Sequence, residues 1–206
     1  MVHRRAVHPA PVAIPIPHRK ATMTLTPTSP LRPVLLLDID GVFNPHPKRP
    51  KRPEGYLTRK LRMPSYRSGR ADLTTWYNPA HGELLREFAA IFDVELVWAA
   101  QGWYREANTH YGPLLGLPDL AVIAFPEPFD FRRWKFDAVT AHVGQRPLAW
   151  LDDDFDEAAP GALKEFHQAR AGISTALISV DGRHGINEGH FEQLRQWALS
   201  LSEVRT

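Results

Sequence analysis

Val34-Leu35-Leu36-Leu37-Asp38-Ile39-Asp40-Gly41-Val42 is an apolar run that stops at two carboxylates spaced i, i+2 and then a glycine. An unbroken apolar run is what a strand of a parallel sheet needs when both its faces are covered. The acids fall where the run stops, at the carboxyl end of the strand, where open α/β sheets place their ligands. Two neighbouring aspartates repel unless a cation or a proton lies between them. A lone Asp-x-Asp followed by glycine also reads as a strand running into an Asp-Gly turn. Four apolar residues before the acids and Gly-Val after them favour a site.

Working outward, strands alternate with helices. Asn78-Pro79 is a helix-starting pair, cap then first turn. It opens a helix with Leu84, Leu85, Phe88 and Ile91 expected on one face. Residues 94–98 read as the second strand, 103–110 as a helix and 120–125 as the third strand. Residues 131–142 form a helix with Phe131, Trp134, Ala138 and Val139 inward. Residues 147–151 are the fourth strand, stopping at Asp152-Asp153-Asp154. A helix over 156–170, a fifth strand over 175–180 and a last helix over 187–200 complete the chain, the last with Phe191, Leu194, Trp197 and Ala198 inward. The fold class is therefore α/β: a doubly wound, mostly parallel five-stranded Rossmannoid sheet with helices on both faces. Between the first strand and the first helix, residues 42–77 form an insert. Within it, 56–63 and 71–77 can pair as a β-hairpin.

The chain has 206 residues, 43% of them hydrophobic and none cysteine. That composition is globular and excludes disulfides, thiolate metal sites and a cysteine nucleophile. It fits a reducing, cytoplasmic setting. No apolar run approaches a membrane span, and prolines break the apolar stretch near the N-terminus, against a secretory signal. Residues 1–70 carry 14 Lys and Arg against 3 Asp and Glu, while the rest of the chain carries 11 against 20. A split of that size suggests a polyanionic partner for the basic part. Residues 1–30, basic and proline-rich with no acid, read as a disordered tail ahead of a domain over 31–206.

Two strands end in acids, Asp38/Asp40 and Asp152/Asp153/Asp154. If the strands are neighbours, the carboxylates converge on one crevice and suit Mg²⁺, which takes a few carboxylates plus water and substrate phosphate. Lys135, 17 residues before Asp152, would reach the same crevice from the start of a helix. No histidine pair has zinc-ligand spacing, and Trp98, Trp103, Trp134 and Trp150 read as core or pocket wall.

Leu-Leu-Leu-Asp38-Ile-Asp40-Gly-Val, the strand ending at Val97-Trp98-Ala99-Ala100, then Trp134-Lys135 and Ala149-Trp150-Leu151-Asp152-Asp153 together resemble the haloacid dehalogenase (HAD) superfamily. More narrowly they resemble small bacterial HAD-like domains also found in RNA-repair proteins. The resemblance covers roughly residues 34–200. It implies a Mg²⁺-dependent phosphohydrolase. Asp38 would be the nucleophile and Asp40 the general acid, then base; Lys135 would fix the phosphate. Mg²⁺ would lie against Asp38, the Asp40 backbone carbonyl, and Asp152 or Asp153. Ala100 and Gln101 occupy the family's phosphate-binding step, where a Ser or Thr is expected; residues 98–103 contain no hydroxyl. Gln101 would then donate from its amide. The insert would cover the site as a flap, with Asn44, Lys48, Arg49 and Tyr56 reaching the substrate. Its basic and aromatic residues together suit a nucleotide or nucleic-acid end, and a phosphorylated small molecule remains open. The missing hydroxyl keeps a second function in view, a weak or inactive domain that binds a phosphorylated ligand or RNA.

Overall fold

The computed structural model describes residues 31–47, 51–62, 72–103, 106–125 and 134–203. The expected tail over 1–30, Lys48, Arg49, residues 63–71, Phe131 and the Trp134 side chain lie outside the described residues. Strand β1, Val34–Leu37, is fully buried along its length. The other strands are β2 (Leu57–Arg62), β3 (Asp72–Tyr77), β4 (Glu95–Trp98), β5 (Ala121–Val122), β6 (Leu148–Asp152) and β7 (Thr175–Ser179). Five of them form one sheet in the order β5-β4-β1-β6-β7, with every pairing parallel. β1 is central. The chain leaves it to build β4 and β5 on one side, then crosses to build β6 and β7 on the other, so the order reverses at the carboxyl end of β1. That is where such sheets open a crevice.

The helices are α1 (Pro79–Phe92), α2 (Trp134–Val143), α3 (Ala162–Ala169) and α4 (Glu188–Glu203). Alternate residues of β1 face two separate cores, as a period of 2 demands. Leu35 and Leu37 pack with Leu85 and Phe88 of α1 and with Leu194, Trp197 and Ala198 of α4. Val34 and Leu36 pack with Phe136 and Val139 of α2 and Phe166 of α3. The sheet is thus covered on both faces, and α4 presents the side expected of it. β2 and β3 form a separate two-stranded antiparallel ladder from Leu57↔Tyr77 to Arg62↔Asp72. No helix among the described residues is long and apolar enough to cross a membrane.

Several expected boundaries move for identifiable reasons. The third strand shrinks from 120–125 to two residues. Its partner β4 ends at Trp98, opposite Val122. On the other side the Asn108 side chain bonds both the N–H and the carbonyl of Leu120, closing the ladder there. In place of a helix over 103–110, a wide turn at Ala107–Tyr111 runs into a tight one at Gly112–Leu115, where Pro113 is accepted in a first turn. The helix over 156–170 divides into a short turn at Phe155–Glu157 and α3, separated by Pro160 and Gly161. In α1 the buried face is His81, Gly82, Leu85 and Phe88. Leu84 and Ile91 are exposed, Ile91 at 73%. The inward histidine hid the true stripe, because a polar residue breaks the apolar period.

Candidate functional site

Beyond Leu37 the chain leaves the sheet and curls into one tight turn. Phe43 and Asn44 N–H both donate to the Ile39 carbonyl, at 3.0 and 2.9 Å, and Gly41 N–H donates to Asn44. Gly41 has φ of +74°, a conformation that favours glycine. A Cβ there would also meet the Asp153 carboxylate at 1.9 Å. The turn matters because Asp38 and Asp40 would point to opposite faces of an extended strand. Asp38 is held by its own N–H donating to Leu151 of β6 at 3.1 Å, and its Oδ1 accepts from Ile39 N–H at 2.7 Å.

Parallel pairing of β1 with β6 brings the two acid clusters together. One oxygen from each of Asp38, Asp152, Asp153 and Asp154 lies within 4.8 Å of the others. Lys135, in the first turn of α2, spans them. Its Nζ donates to Asp38 Oδ2 at 2.9 Å, to both Asp152 oxygens at 2.9 and 2.8 Å, and to Asp154 at 3.4 Å. Asp38, Asp152 and Lys135 are nearly sealed from solvent, the last with 13% of its side chain exposed. Burial alone would pull the Lys135 ammonium down, but the three carboxylates outweigh it and hold the amine well above its ordinary value. Burial pushes the Asp38 carboxyl well up, the Asp152 charge adds to this, and Lys135 only partly offsets them. Asp153 is pushed up to about 7 by burial and by the charges of Asp154 and Asp152. One ammonium does not neutralise four crowded carboxylates. An all-oxygen donor set of this kind could hold a hard divalent cation.

Asp40 is set apart from this cluster. Its side chain turns toward Trp103, whose indole N–H donates to Oδ2 at 2.8 Å, and toward Asn44, whose amide donates to Oδ1 at 2.8 Å. His46 Nε2 is 3.8 Å from the same oxygen. The carboxylates that gather are therefore Asp38, Asp152, Asp153 and Asp154; the Asp40 carboxylate is not among them. Asn44, expected to meet substrate, is buried, and its Oδ1 accepts the Trp76 N–H of β3 at 3.0 Å. It ties Asp40 to β3. Tyr56 is also buried, edge-on to His81 with ring centroids 5.5 Å apart, and its hydroxyl is closed off from solvent. With Phe43 fully buried as well, these two rings are core and not a stacking surface.

Ala99 and Ala100 follow β4 beside β1, both fully buried, with Ala99 N–H donating to Leu37 at 2.8 Å. The Gln101 amide nitrogen is buried with no hydrogen-bond partner, so an acceptor brought beside it would satisfy it. Trp103 and His46 were not legible as site residues. Trp103 meets Asp40 across 63 positions of sequence, and its only local signal is that it follows the carboxyl end of β4. Asp153 is gripped between Gly41 and Gly182, where an added Cβ would lie 2.3 Å from Oδ2. A cavity of about 550 Å³ opens beside the cluster, lined by His46, Asp153, Asp154, Asp181 and Arg183 among others. No family model, curated protein or solved structure matches the chain.

Proposed function

We propose that this protein is a phosphohydrolase of the HAD type, dependent on Mg²⁺ and working through a phosphoryl group carried on Asp38. The observation that carries the reading is Lys135 joining Asp38 to Asp152 while Asp40 is held apart on its own donors. In the first step an Asp38 oxygen attacks phosphorus in line with the leaving oxygen, and the P–O bond to the leaving group breaks as the new one forms. Asp40, oriented by Trp103 and Asn44, gives its proton to that leaving oxygen. In the second step Asp40 takes a proton from water, which attacks the same phosphorus and releases Asp38 with phosphate. Lys135 keeps Asp38 oriented and offsets charge that builds on the phosphoryl oxygens. Asp38, Asp152, Asp153 and Asp154 would hold the cation, which supplies further charge neutralisation. The β2–β3 hairpin, tied to Asp40 through Asn44, serves as the flap. The substrate is a phosphorylated small molecule or a nucleic-acid end.

Ala99-Ala100 favours a second reading, a domain that binds a phosphorylated ligand without turning it over. The loss of one transition-state donor costs on the order of 10²–10³ in rate, and the Gln101 amide replaces it only in part. Hydrolysis of p-nitrophenyl phosphate with and without Mg²⁺ decides between the two. The enzyme reading expects Mg²⁺-dependent turnover that Asp38→Asn abolishes. Equal inertness of both proteins across phosphorylated substrates would leave the binding domain.

A further inference from the structure

Trp76, near the end of β3, has both of its backbone polar groups held by side chains from outside the β2–β3 ladder. Its N–H donates to Asn44 Oδ1 at 3.0 Å, and its carbonyl accepts the Tyr111 hydroxyl at 2.9 Å. Each of those side chains leads on to Asp40. The Asn44 amide donates to Asp40 Oδ1 at 2.8 Å. The Tyr111 ring meets the Trp103 ring edge-on, with centroids 5.3 Å apart, and the Trp103 indole N–H donates to Asp40 Oδ2 at 2.8 Å. One residue of β3 is thus joined by two routes to the two oxygens of one carboxylate. The wide turn at Ala107–Tyr111 builds the second route. It starts at the Trp103 carbonyl, which accepts from Glu106 and Ala107 N–H at 2.8 and 2.6 Å, and it ends at Tyr111. Trp103 and Tyr111 are fully buried, and Asn44 nearly so. Burial, and then the Asp40 charge, pushes the Tyr111 phenol well above its ordinary range, so it keeps the proton it donates. Thr75 Oγ1 lies 3.5 Å from the same carbonyl, too far to replace that bond.

We propose that Tyr111 is a positioning residue for Asp40, and that through it the seating of β3 sets the direction in which the Asp40 carboxylate points. The proposal rests on the phosphohydrolase reading in one respect, that Asp40 protonates the leaving oxygen. Leu61, Leu73 and Tyr77 of the ladder also pack against the core. Apolar contacts of that kind hold the ladder down but have no direction. The two bonds at Trp76 are directional, and a buried polar network keeps its geometry only while its members keep their partners. Without the Tyr111 hydroxyl, the route through Trp103 no longer registers where β3 sits. Displacing a reacting group by about 1 Å costs on the order of 10² in rate. That cost depends on the leaving group. An oxygen stable as an anion departs unprotonated, whereas a basic one needs the proton, so a misdirected Asp40 harms esters of the less acidic alcohols most.

The test is kcat/KM of the full chain in Mg²⁺ on 2,4-dinitrophenyl, 4-nitrophenyl and phenyl phosphate, whose leaving phenols grow steadily less acidic. Tyr111→Phe deletes the hydroxyl and keeps the ring. It should lose about tenfold on phenyl phosphate and less than about twofold on 2,4-dinitrophenyl phosphate, a weaker form of the profile of Asp40→Asn. A loss equal across the series is the mark of a merely structural role and would overturn the proposal. So would the wild-type profile. The link is also read without turnover, by hydrogen exchange in protein labelled with nitrogen-15 at tryptophan. In Tyr111→Phe the Trp76 amide and the Trp103 indole N–H should both exchange about tenfold faster. If Trp76 alone quickens, β3 loosens without reaching the donor on Asp40, and the proposal fails. If wild type hydrolyses none of the esters while both signals quicken together, the link from β3 to Asp40 stands and the phosphohydrolase reading fails.

Discussion

Replacing Lys135 with Met removes the ammonium while keeping most of the side chain's volume. The amine contacts Asp38 and Asp152 at 2.8–2.9 Å. At an effective dielectric near 20, each contact is worth about 6 kcal/mol of attraction. The cost of burying the ions cancels much of it. What the variant loses is the compensation of two carboxylates that stay buried, so the expected net loss is about 3–5 kcal/mol. For a domain of this size that lowers Tm by roughly 10 °C. The sign with pH follows from proton counting. Without the amine, the Asp38 carboxyl, already raised by burial, rises further. The folded variant then binds more protons than the unfolded chain, so its stability falls as pH rises. The gap to wild type should be widest at pH 7.5 and narrow toward pH 5. If the cluster holds Mg²⁺ as proposed, the ion should stabilise the variant more than wild type, because it would take the place of the missing ammonium among the same carboxylates. Urea unfolding at both pH values, with and without Mg²⁺, measures this. A gap below about 1 kcal/mol at pH 7.5 with unchanged m-value, or one that widens on acidification, would refute the reasoning.

His81 is 8% exposed among Phe43, Tyr56 and Phe191, and burial lowers it to about 4 from 6.5. The unfolded chain therefore binds the extra proton first, and stability drains away as pH falls from about 6.5 toward 4, by up to about 3 kcal/mol. His81→Leu should remove that slope in urea titrations; an unaltered slope would place the titrating group elsewhere. Gly182→Ala puts a Cβ where Asp153 lies, so calorimetry should show Mg²⁺ affinity reduced by about 10–100-fold with the fold retained. Trp103→Phe deletes the 2.8 Å bond to Asp40. It should cost about 1.5–3 kcal/mol of stability and roughly tenfold in kcat/KM. A full-rate variant would detach Trp103 from Asp40's role.

The parallel sheet was legible because buried strands announce themselves as apolar runs, and the acids at two of their ends could be placed without knowing strand order. That β1 and β6 are neighbours was only a condition at the sequence level; the ladder from Val34↔Leu148 to Leu37↔Leu151 meets it. Lys135 and Asp152 were legible for the same reason. Asp40's surroundings were not. Its partners Trp103 and Asn44 arrive from different elements, and an indole reads first as apolar bulk. The stripe of α1 was half legible: Leu85 and Phe88 face inward as expected, but Leu84 and Ile91 face solvent, because the inward His81 and Gly82 interrupt the apolar period. Tyr56 looked like a substrate contact in a basic, aromatic segment, yet burial decides its role, and composition does not carry burial. Lys51 and Arg52 stand in a legible charge run, but Arg183 and His184 come to line the same cavity only through the turn after β7.

The most direct test of the central claim is to look for the phosphoryl group on Asp38. The protein is mixed with a substrate radiolabelled in its phosphoryl group, in Mg²⁺, and quenched in acid within a turnover. Label that is stable to acid, released by hydroxylamine, confined to the peptide carrying Asp38 and absent from Asp38→Asn is the result predicted. Turnover with no label trapped at any quench time, or label that survives in Asp38→Asn, would contradict it.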